Sequence, residues 1–234
     1  MKEIKVAVLA GTPVDTAMGV GYIKNKNSEN EGQCLLPLIE PVSESCDSQI
    51  RFQYSDEDQK RAVMDNIFDA AIEEGANDFF IYCNSLSASF DFDTYAVRKS
   101  LETDKDIRVY TPLQVYRALG ESYERIGVMA ANNLSAYAIE EALMTTNPEV
   151  YVIGTGNMAI VSAIEDGQAP EDIVKNCGIE HMIRYIEACG CEALLLGCTH
   201  FPYLKEEIRG ICRIPIIDPA DEMYDAVKRS CASD

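Results

Sequence analysis

Two short stretches place a thiol directly after an apolar run. Asp78 to Tyr82 (DFFIY) leads into Cys83-Asn84-Ser85, and Ala193 to Leu196 (ALLL) leads into Gly197-Cys198-Thr199-His200. A cysteine at a strand tip beside the start of a helix has its pKa drawn toward neutrality, which makes it available as a base or nucleophile. His200, one of two histidines, stands two residues beyond Cys198, within reach to exchange a proton with the thiol or to act as a general acid. Singly, each cysteine reads as an ordinary buried residue and the histidine as a satisfied strand-end residue. Core packing, however, gives no reason to repeat Cys-polar-polar at strand tips in both halves of a chain.

A thiol pair without a cofactor motif points to proton transfer on both faces of one carbon. One cysteine removes a proton, the other delivers one to the opposite face, and a centre next to a carboxylate is inverted. A thiolate with a pKa of about 8.5 is a weak base against a C–H bond, so the site must be dry and rich in hydrogen-bond donors. Asn84, Ser85, Thr199 and the backbone N–H groups beyond each strand are the candidate donors.

Other chemistries fit the residues poorly. Cys189, Cys191, Cys198 and His200 resemble a metal cluster by composition, but a strand lies between Cys191 and Cys198. Its ends would stand roughly 20 Å apart at about 3.3 Å per residue, too far for one ion. Gly154-Thr155-Gly156-Asn157 lacks the Gly-Lys-Ser/Thr ending of a phosphate loop and is expected as a turn. No Gly-x-Ser-x-Gly elbow is present. Asp91 and Asp93 are expected on a solvated edge, and His181 inside a helix in a structural place.

The elements that must position the thiols alternate along the chain. Strands are expected at 5–9, 78–82, 107–110, 125–130, 149–153, 193–196 and 214–217; helices at 56–74, 113–119, 136–144, 170–188 as one long amphipathic run, and 220–230. This alternation implies an α/β protein with parallel sheets. "EEGANDFFIYCNSLSASF" and "EACGCEALLLGCTHFPYL" share a plan: helix end, Gly, polar residue, strand, Cys, two polar residues. The expectation is two pseudo-symmetric three-layer lobes with mostly parallel sheets. Residues 1–107 plus 212–234 would carry Cys83, residues 108–211 would carry Cys198, and the active site would lie in the interlobe cleft.

Composition narrows the partners. The 234 residues are 47% hydrophobic, enough for a packed core, with no apolar run long enough to span a membrane. The opening Met1 to Gly11 reads as a first strand rather than an export signal, so a cytoplasmic protein with free thiols is expected from its nine cysteines. A formal net charge of −19 argues against nucleic acid and anionic membranes. An anionic substrate would need local positive potential from backbone N–H groups.

"CEALLLGCTHFPYL" is very similar to the second catalytic-cysteine motif of glutamate racemases, and "FFIYCNSLSAS" resembles their first, with Ser85 where threonine is usual. "AIVSAIEDG", carrying Glu165, resembles the segment whose glutamate supports the catalytic histidine, and "IPIIDPADEM" the strand and helix that follow. The resemblance is to the aspartate/glutamate racemase superfamily and covers most of the chain, most strongly residues 190–220. It implies a cofactor-independent isomerase, commonly a homodimer, that uses no pyridoxal phosphate or metal and acts on a small amino acid. Cys83 would be the base for the D-isomer and Cys198 for the L-isomer, with His200 assisting Cys198 and oriented by Glu165. Asn84, Ser85 and Thr199 would bind the substrate's amino and carboxylate groups, with Thr12 and Asn132 as further substrate contacts.

The chain departs from that pattern at its start. Glutamate racemases open with strand-Asp-Ser-Gly, whose Asp assists the first cysteine. Here Ala10-Gly11-Thr12-Pro13 is closer to the opening of aspartate racemases, Thr12 takes the serine's place, and Asp15 is the nearest acid. The Pro-Tyr-Gly motif is replaced by "LLPLIEP", whereas His200 stands where many aspartate racemases carry glutamate. Glutamate is the expected substrate; an aspartate or broad-specificity racemase, or more remotely a non-catalytic amino-acid-binding relative, is the alternative.

Overall fold

The computed structural model describes residues 3–29 and 34–232. The chain divides into two compact units, Met1–Pro112 with Ala220–Asp234, and Leu113–Pro219.

In the first unit, β1 (Glu3–Ala10), α1 (Pro13–Glu29), β2 (Cys34–Pro41), α2 (Cys46–Gln53), α3 (Glu57–Glu73), β3 (Asp78–Ile81), α4 (Asn84–Ser89), α5 (Phe92–Thr103) and β4 (Arg108–Tyr110) follow in order. The strands form a sheet of order β2-β1-β3-β4, every pairing parallel. Val6 to Ala10 of β1 and all of β3 are buried, as central parallel strands covered on both faces must be. Alternation sends neighbouring aromatics to opposite faces. Phe79 stacks on Phe68 of α3 at 3.8 Å between ring centroids, while Phe80 stacks with Tyr22 of α1 at 6.4 Å. Asp78 is buried but answered: Arg108 donates to both its carboxylate oxygens at 2.9 and 3.1 Å and the Tyr110 hydroxyl donates at 2.9 Å. Burial and the neighbouring Asp78 anion together hold the Tyr110 phenol well above its ordinary pKa.

In the second unit, α6 (Pro112–Leu119), β5 (Arg125–Ala130), α7 (Asn133–Met144), β6 (Tyr151–Gly156), α8 (Met158–Glu165), α9 (Pro170–Asn176), α10 (Ile179–Ala188), β7 (Ala193–Gly197), α11 (Lys205–Ile211) and β8 (Ile216–Ile217) build a second parallel sheet of order β6-β5-β7-β8. Leu194 and Leu196 belong to one core with Ile173, Ile183 and Ile186; Ala193 and Leu195 face another with Ile139 and Leu143. α12 (Pro219–Ala232) returns to the first unit, where Tyr22 donates to Asp221 at 2.7 Å and Tyr224 to Asn27 at 3.0 Å. No described helix is long and apolar enough to cross a membrane.

The two sheets share one plan, in which the third strand in chain order lies beside the first and ends at a cysteine. Gly75 and Gly190, with φ of 94° and 75°, end the preceding helices in the left-handed region that suits glycine.

Four expectations are corrected. β4 pairs with β3 in the first sheet and β8 with β7 in the second, so the boundaries expected at 107 and 211 each assign one edge strand to the wrong sheet. Neither short strand carries a pattern that reveals its neighbour. The expected helix 170–188 is two helices, because Gly178 adopts φ 71° and caps α10 with a left-handed residue. Gly154-Thr155-Gly156 is the end of β6 rather than a turn, paired with Val128 to Ala130. His181 lies on α10 but is exposed, whereas Asp91 does lie at an edge and caps α5 through Thr94 N–H at 3.1 Å.

Phe79 links β3 to α3 through its stacking on Phe68. Phe79→Ala is expected to cost about 3–5 kcal/mol, the range for deleting a buried phenyl ring. Urea unfolding followed by circular dichroism checks this; a loss under about 1 kcal/mol would mean the site collapses around the deletion.

Candidate active site

In a parallel sheet the C-terminal ends of adjacent strands meet at one edge. Leu9 of β1 stands opposite Ile81 of β3, and Tyr82 N–H donates to the Leu9 carbonyl at 2.7 Å. The residues that follow, Thr12 after β1 and Cys83-Asn84-Ser85 after β3, therefore emerge side by side. Thr12, Cys83 and Asn84 are each at most 3% exposed. Thr12 begins α1: its Oγ1 accepts from Asp15 N–H at 3.2 Å and its carbonyl accepts from Thr16 N–H at 2.9 Å. Asp15 is buried in that first turn, where the helix dipole favours an acid. Cys83 has extended backbone (φ −162°, ψ 119°) and is the residue from which α4 starts.

The Cys83 thiol lies in a polar contact network. Ser85 Oγ is 3.4 Å from Cys83 Sγ, and Gln49 of α2 donates through Nε2 to both Cys83 Sγ at 3.4 Å and Ser85 Oγ at 3.1 Å. Gln49 was not anticipated in the sequence. Its only signal is Ser45-x-x-Ser48, a capping box in which Ser45 Oγ accepts from Ser48 N–H at 3.3 Å and Ser48 Oγ from Ser45 N–H at 3.0 Å. That box fixes the first turn of α2, and Gln49 is the next residue.

In the second unit, Ala130 of β5 stands opposite Gly197 of β7, so Ala131-Asn132 and Cys198-Thr199-His200 share an edge. Cys198, Thr199 and His200 are each 5% exposed. Beyond the strand the chain turns into a 3-10 helix, Phe201–Leu204, opened by Phe201 N–H to the Cys198 carbonyl at 3.0 Å. Phe201 and Leu204 eclipse at the three-residue period and are both fully buried in the core that includes Cys198. The apolar pair in "HFPYL" thus anchors the loop that carries the histidine.

His200 links a thiol to a carboxylate. Nε2 stands 3.2 Å from Glu165 Oε1 and Nδ1 stands 3.7 Å from Cys198 Sγ. With the proton on Nε2 donated to the carboxylate, Nδ1 accepts from the Cys198 S–H; with both nitrogens protonated, Nδ1 donates to the thiolate. Glu165 ends α8, where the helix dipole disfavours a negative charge, and the imidazole N–H compensates. Tyr203 donates to the Gln168 carbonyl at 3.1 Å, tying the histidine loop to the turn that follows Glu165. Asn132 does not join this trio. Its side chain caps α7, accepting from Ser135 N–H at 2.9 Å, although it lies on the same sheet edge.

Two further cysteines stand elsewhere with raised pKa values. Burial, reinforced by Cys189, pushes the Cys191 thiol up to about 11, and burial also raises Cys212. Both sit away from the strand tips, Cys191 before β7 and Cys212 after α11. Among the described residues, no three His, Cys, Asp or Glu side chains come together as a metal site.

Paired α/β units, each ending a central strand in a buried cysteine, define a class of protein, and comparison with known proteins gives the family. The model of the Asp/Glu/Hydantoin racemase family matches residues 111–227, half of the chain, and the chain belongs to that family. Glutamate racemase of Limosilactobacillus reuteri is 28% identical over 164 residues, covering 67% of this chain and 58% of that protein. The matched region thus spans less than two thirds of that relative's length. Glutamate racemase of Neisseria meningitidis is 30% identical over 114 residues, or 47% of this chain and 41% of that one. Among solved structures, glutamate racemase of Francisella tularensis in complex with D-glutamate has a TM-score of 0.64 at 19% identity, over 98% of this chain and 81% of that one. An aspartate racemase homologue from Pyrococcus horikoshii has a TM-score of 0.63 at 16% identity, over 98% and 99%. These likenesses establish the two-unit α/β fold.

A thiol whose pKa stands near 11 is protonated at pH 8 and inert to alkylation until the pH approaches that value. Iodoacetamide at pH 8, followed peptide by peptide in a mass spectrometer, is therefore expected to leave Cys191 unmodified in the native protein and to modify it in urea. Rapid native labelling of Cys191 would contradict the assignment.

Proposed function

We propose that the chain is a cofactor-independent amino-acid racemase that interconverts L- and D-glutamate. The observation that carries this reading is the matched pair of buried strand-tip cysteines, Cys83 and Cys198, each with its own polar partners. In the proposed reaction the Cys83 thiolate takes the Cα proton of D-glutamate, and the Cys198 thiol delivers a proton to the opposite face. One proton leaves the carbon and one arrives, so the product is L-glutamate, with Cys83 as thiol and Cys198 as thiolate. The reverse reaction exchanges the roles. His200, oriented by Glu165, holds or releases the Cys198 proton through Nδ1, and 3.2 and 3.7 Å contacts support that relay.

Substrate binding is assigned to Thr12, Asn84, Ser85, Thr199 and Asn132 with the backbone N–H groups around them. With a net charge of −19, the chain attracts an anionic amino acid only through such local donors. The mechanism requires the two sulfurs on opposite sides of one substrate carbon, with water excluded. A homodimer in the cytoplasm, working without pyridoxal phosphate, completes the proposal. Aspartate is the second reading, favoured by the Ala10-Gly11-Thr12-Pro13 opening and by the absence of an acid at that position.

Incubating each enantiomer of glutamate and aspartate in D₂O tests the reaction and the substrate together. Deuterium is expected to enter at Cα of glutamate with inversion. Cys83→Ser or Cys198→Ser is expected to lower kcat/KM by about 10²–10⁴-fold, the scale of a lost acid or base. Exchange with aspartate alone would move the assignment to the second reading. No exchange with either, in wild type and variants alike, would leave an amino-acid-binding relative without this activity.

A further inference from the structure

We infer that Gln49 is the positioning residue of the first cysteine, a carboxamide that reaches from α2 into the space of a missing side chain at Gly11 and holds Cys83 as the thiolate. Three observations converge. Gln49 Nε2 donates to Cys83 Sγ at 3.4 Å and to Ser85 Oγ at 3.1 Å. Ser85 Oγ lies 3.4 Å from Cys83 Sγ, and against a thiolate, which has no hydrogen to give, the hydroxyl can only donate, so two donors then meet the sulfur. A Cβ at Gly11 would fall 2.0 Å from Gln49 Nε2, 2.2 Å from its Cδ and 2.5 Å from its Oε1. The carboxamide thus occupies the volume that any side chain on residue 11 would fill.

That volume has a meaning in the chain. With Thr12 in the place of the serine of strand-Asp-Ser-Gly, Gly11 stands in the place of the acid. The group found there is a donor that neither takes nor gives a proton, where a carboxylate would be a proton acceptor. The two cysteines are therefore tuned by different means. Cys198 contacts an imidazole, and Cys83 contacts a carboxamide N–H and a hydroxyl. Donors to sulfur favour its charged form and lower its pKa. Among the described side chains, Tyr82 stands beside Cys83 in the chain, Asp15 is buried in the first turn of α1 and Arg51 is exposed on α2; α1 further carries Tyr22, Lys24 and Lys26, β1 carries Lys5 and β3 carries Asp78.

The experiment is the pH dependence of iodoacetamide alkylation of the Cys83 peptide in the intact chain, read by mass spectrometry. Gln49→Ala is expected to raise the midpoint by about one pH unit, the scale of one charge-assisted hydrogen bond. Gly11→Ala is expected to raise it similarly with Gln49 still present, because its methyl group displaces the carboxamide. Gln49→Glu is expected to raise it further by placing a negative charge against the sulfur, a change that packing alone would not produce. A midpoint unmoved by Gln49→Ala overturns the inference, as does a Gly11→Ala midpoint equal to wild type. Under the racemase reading the acid limb of kcat/KM against pH moves with the alkylation midpoint. That arm alone rests on the proposed function: absent racemisation removes it and leaves the alkylation result to stand or fall by itself.

Discussion

Parallel pairing puts the chemistry of each unit at one edge. Because β1 and β3 run in the same direction with Leu9 opposite Ile81, the turns that leave both strands open on the same side of the sheet. The same holds for β5 and β7, where Ala130 faces Gly197. A central parallel strand is buried on both faces, so its side chains are committed to packing, and reactive groups find room only where the ladder ends. Cys83 and Cys198 are both the first or second residue past that limit, and the polar groups around them are those that the neighbouring turn can deliver. Register, set by apolar side chains such as Phe79, Phe80, Leu194 and Leu195, thereby decides which residues meet the thiols.

The two thiols are equivalent in topology and differ in their partners. His200 reaches Cys198 from within the same loop, held by the burial of Phe201 and Leu204 and by Glu165 at the end of a helix that precedes β7. Cys83 has no such residue two places on. Ser85 stands there, and the contact is completed by Gln49 from a helix 34 residues earlier. The duplicated plan thus places an imidazole beside the thiol in one half and a carboxamide N–H and a hydroxyl beside it in the other. The buried position of both sulfurs makes those partners matter, since a thiolate away from water depends on the donors within reach.

Much of this was legible in the chain. The runs at 5–9, 78–82, 125–130 and 193–196 read as strands, and they fall on β1, β3, β5 and β7, the central strands of the two sheets. Glycines beyond helix ends mark Gly75 and Gly190 because left-handed backbone favours that residue. The trio of Cys198, His200 and Glu165 followed from resemblance, and the first two are near enough in the chain for spacing to suggest contact. The edge strands were harder. β4 has three residues and β8 two, too few to show alternation, so their sheet was misassigned. The helix around Gly178 carried a continuous apolar stripe that hid its break.

The sequence by itself determined an α/β protein built twice on one plan, with a cysteine closing the same strand in each half. These features arise from local pattern, because the period of apolar residues and the placement of glycine act over a few neighbours. Only the tertiary structure decided what surrounds each thiol. Gln49 lies far along the chain from Gly11, Cys83 and Ser85, on a short helix with little apolar pattern, and the capping box before it marks a helix start but not a contact with a distant thiol. Its place follows from the volume that Gly11 leaves vacant beside a sulfur at the sheet edge, and a volume shared by three distant segments exists only once the sheet has formed.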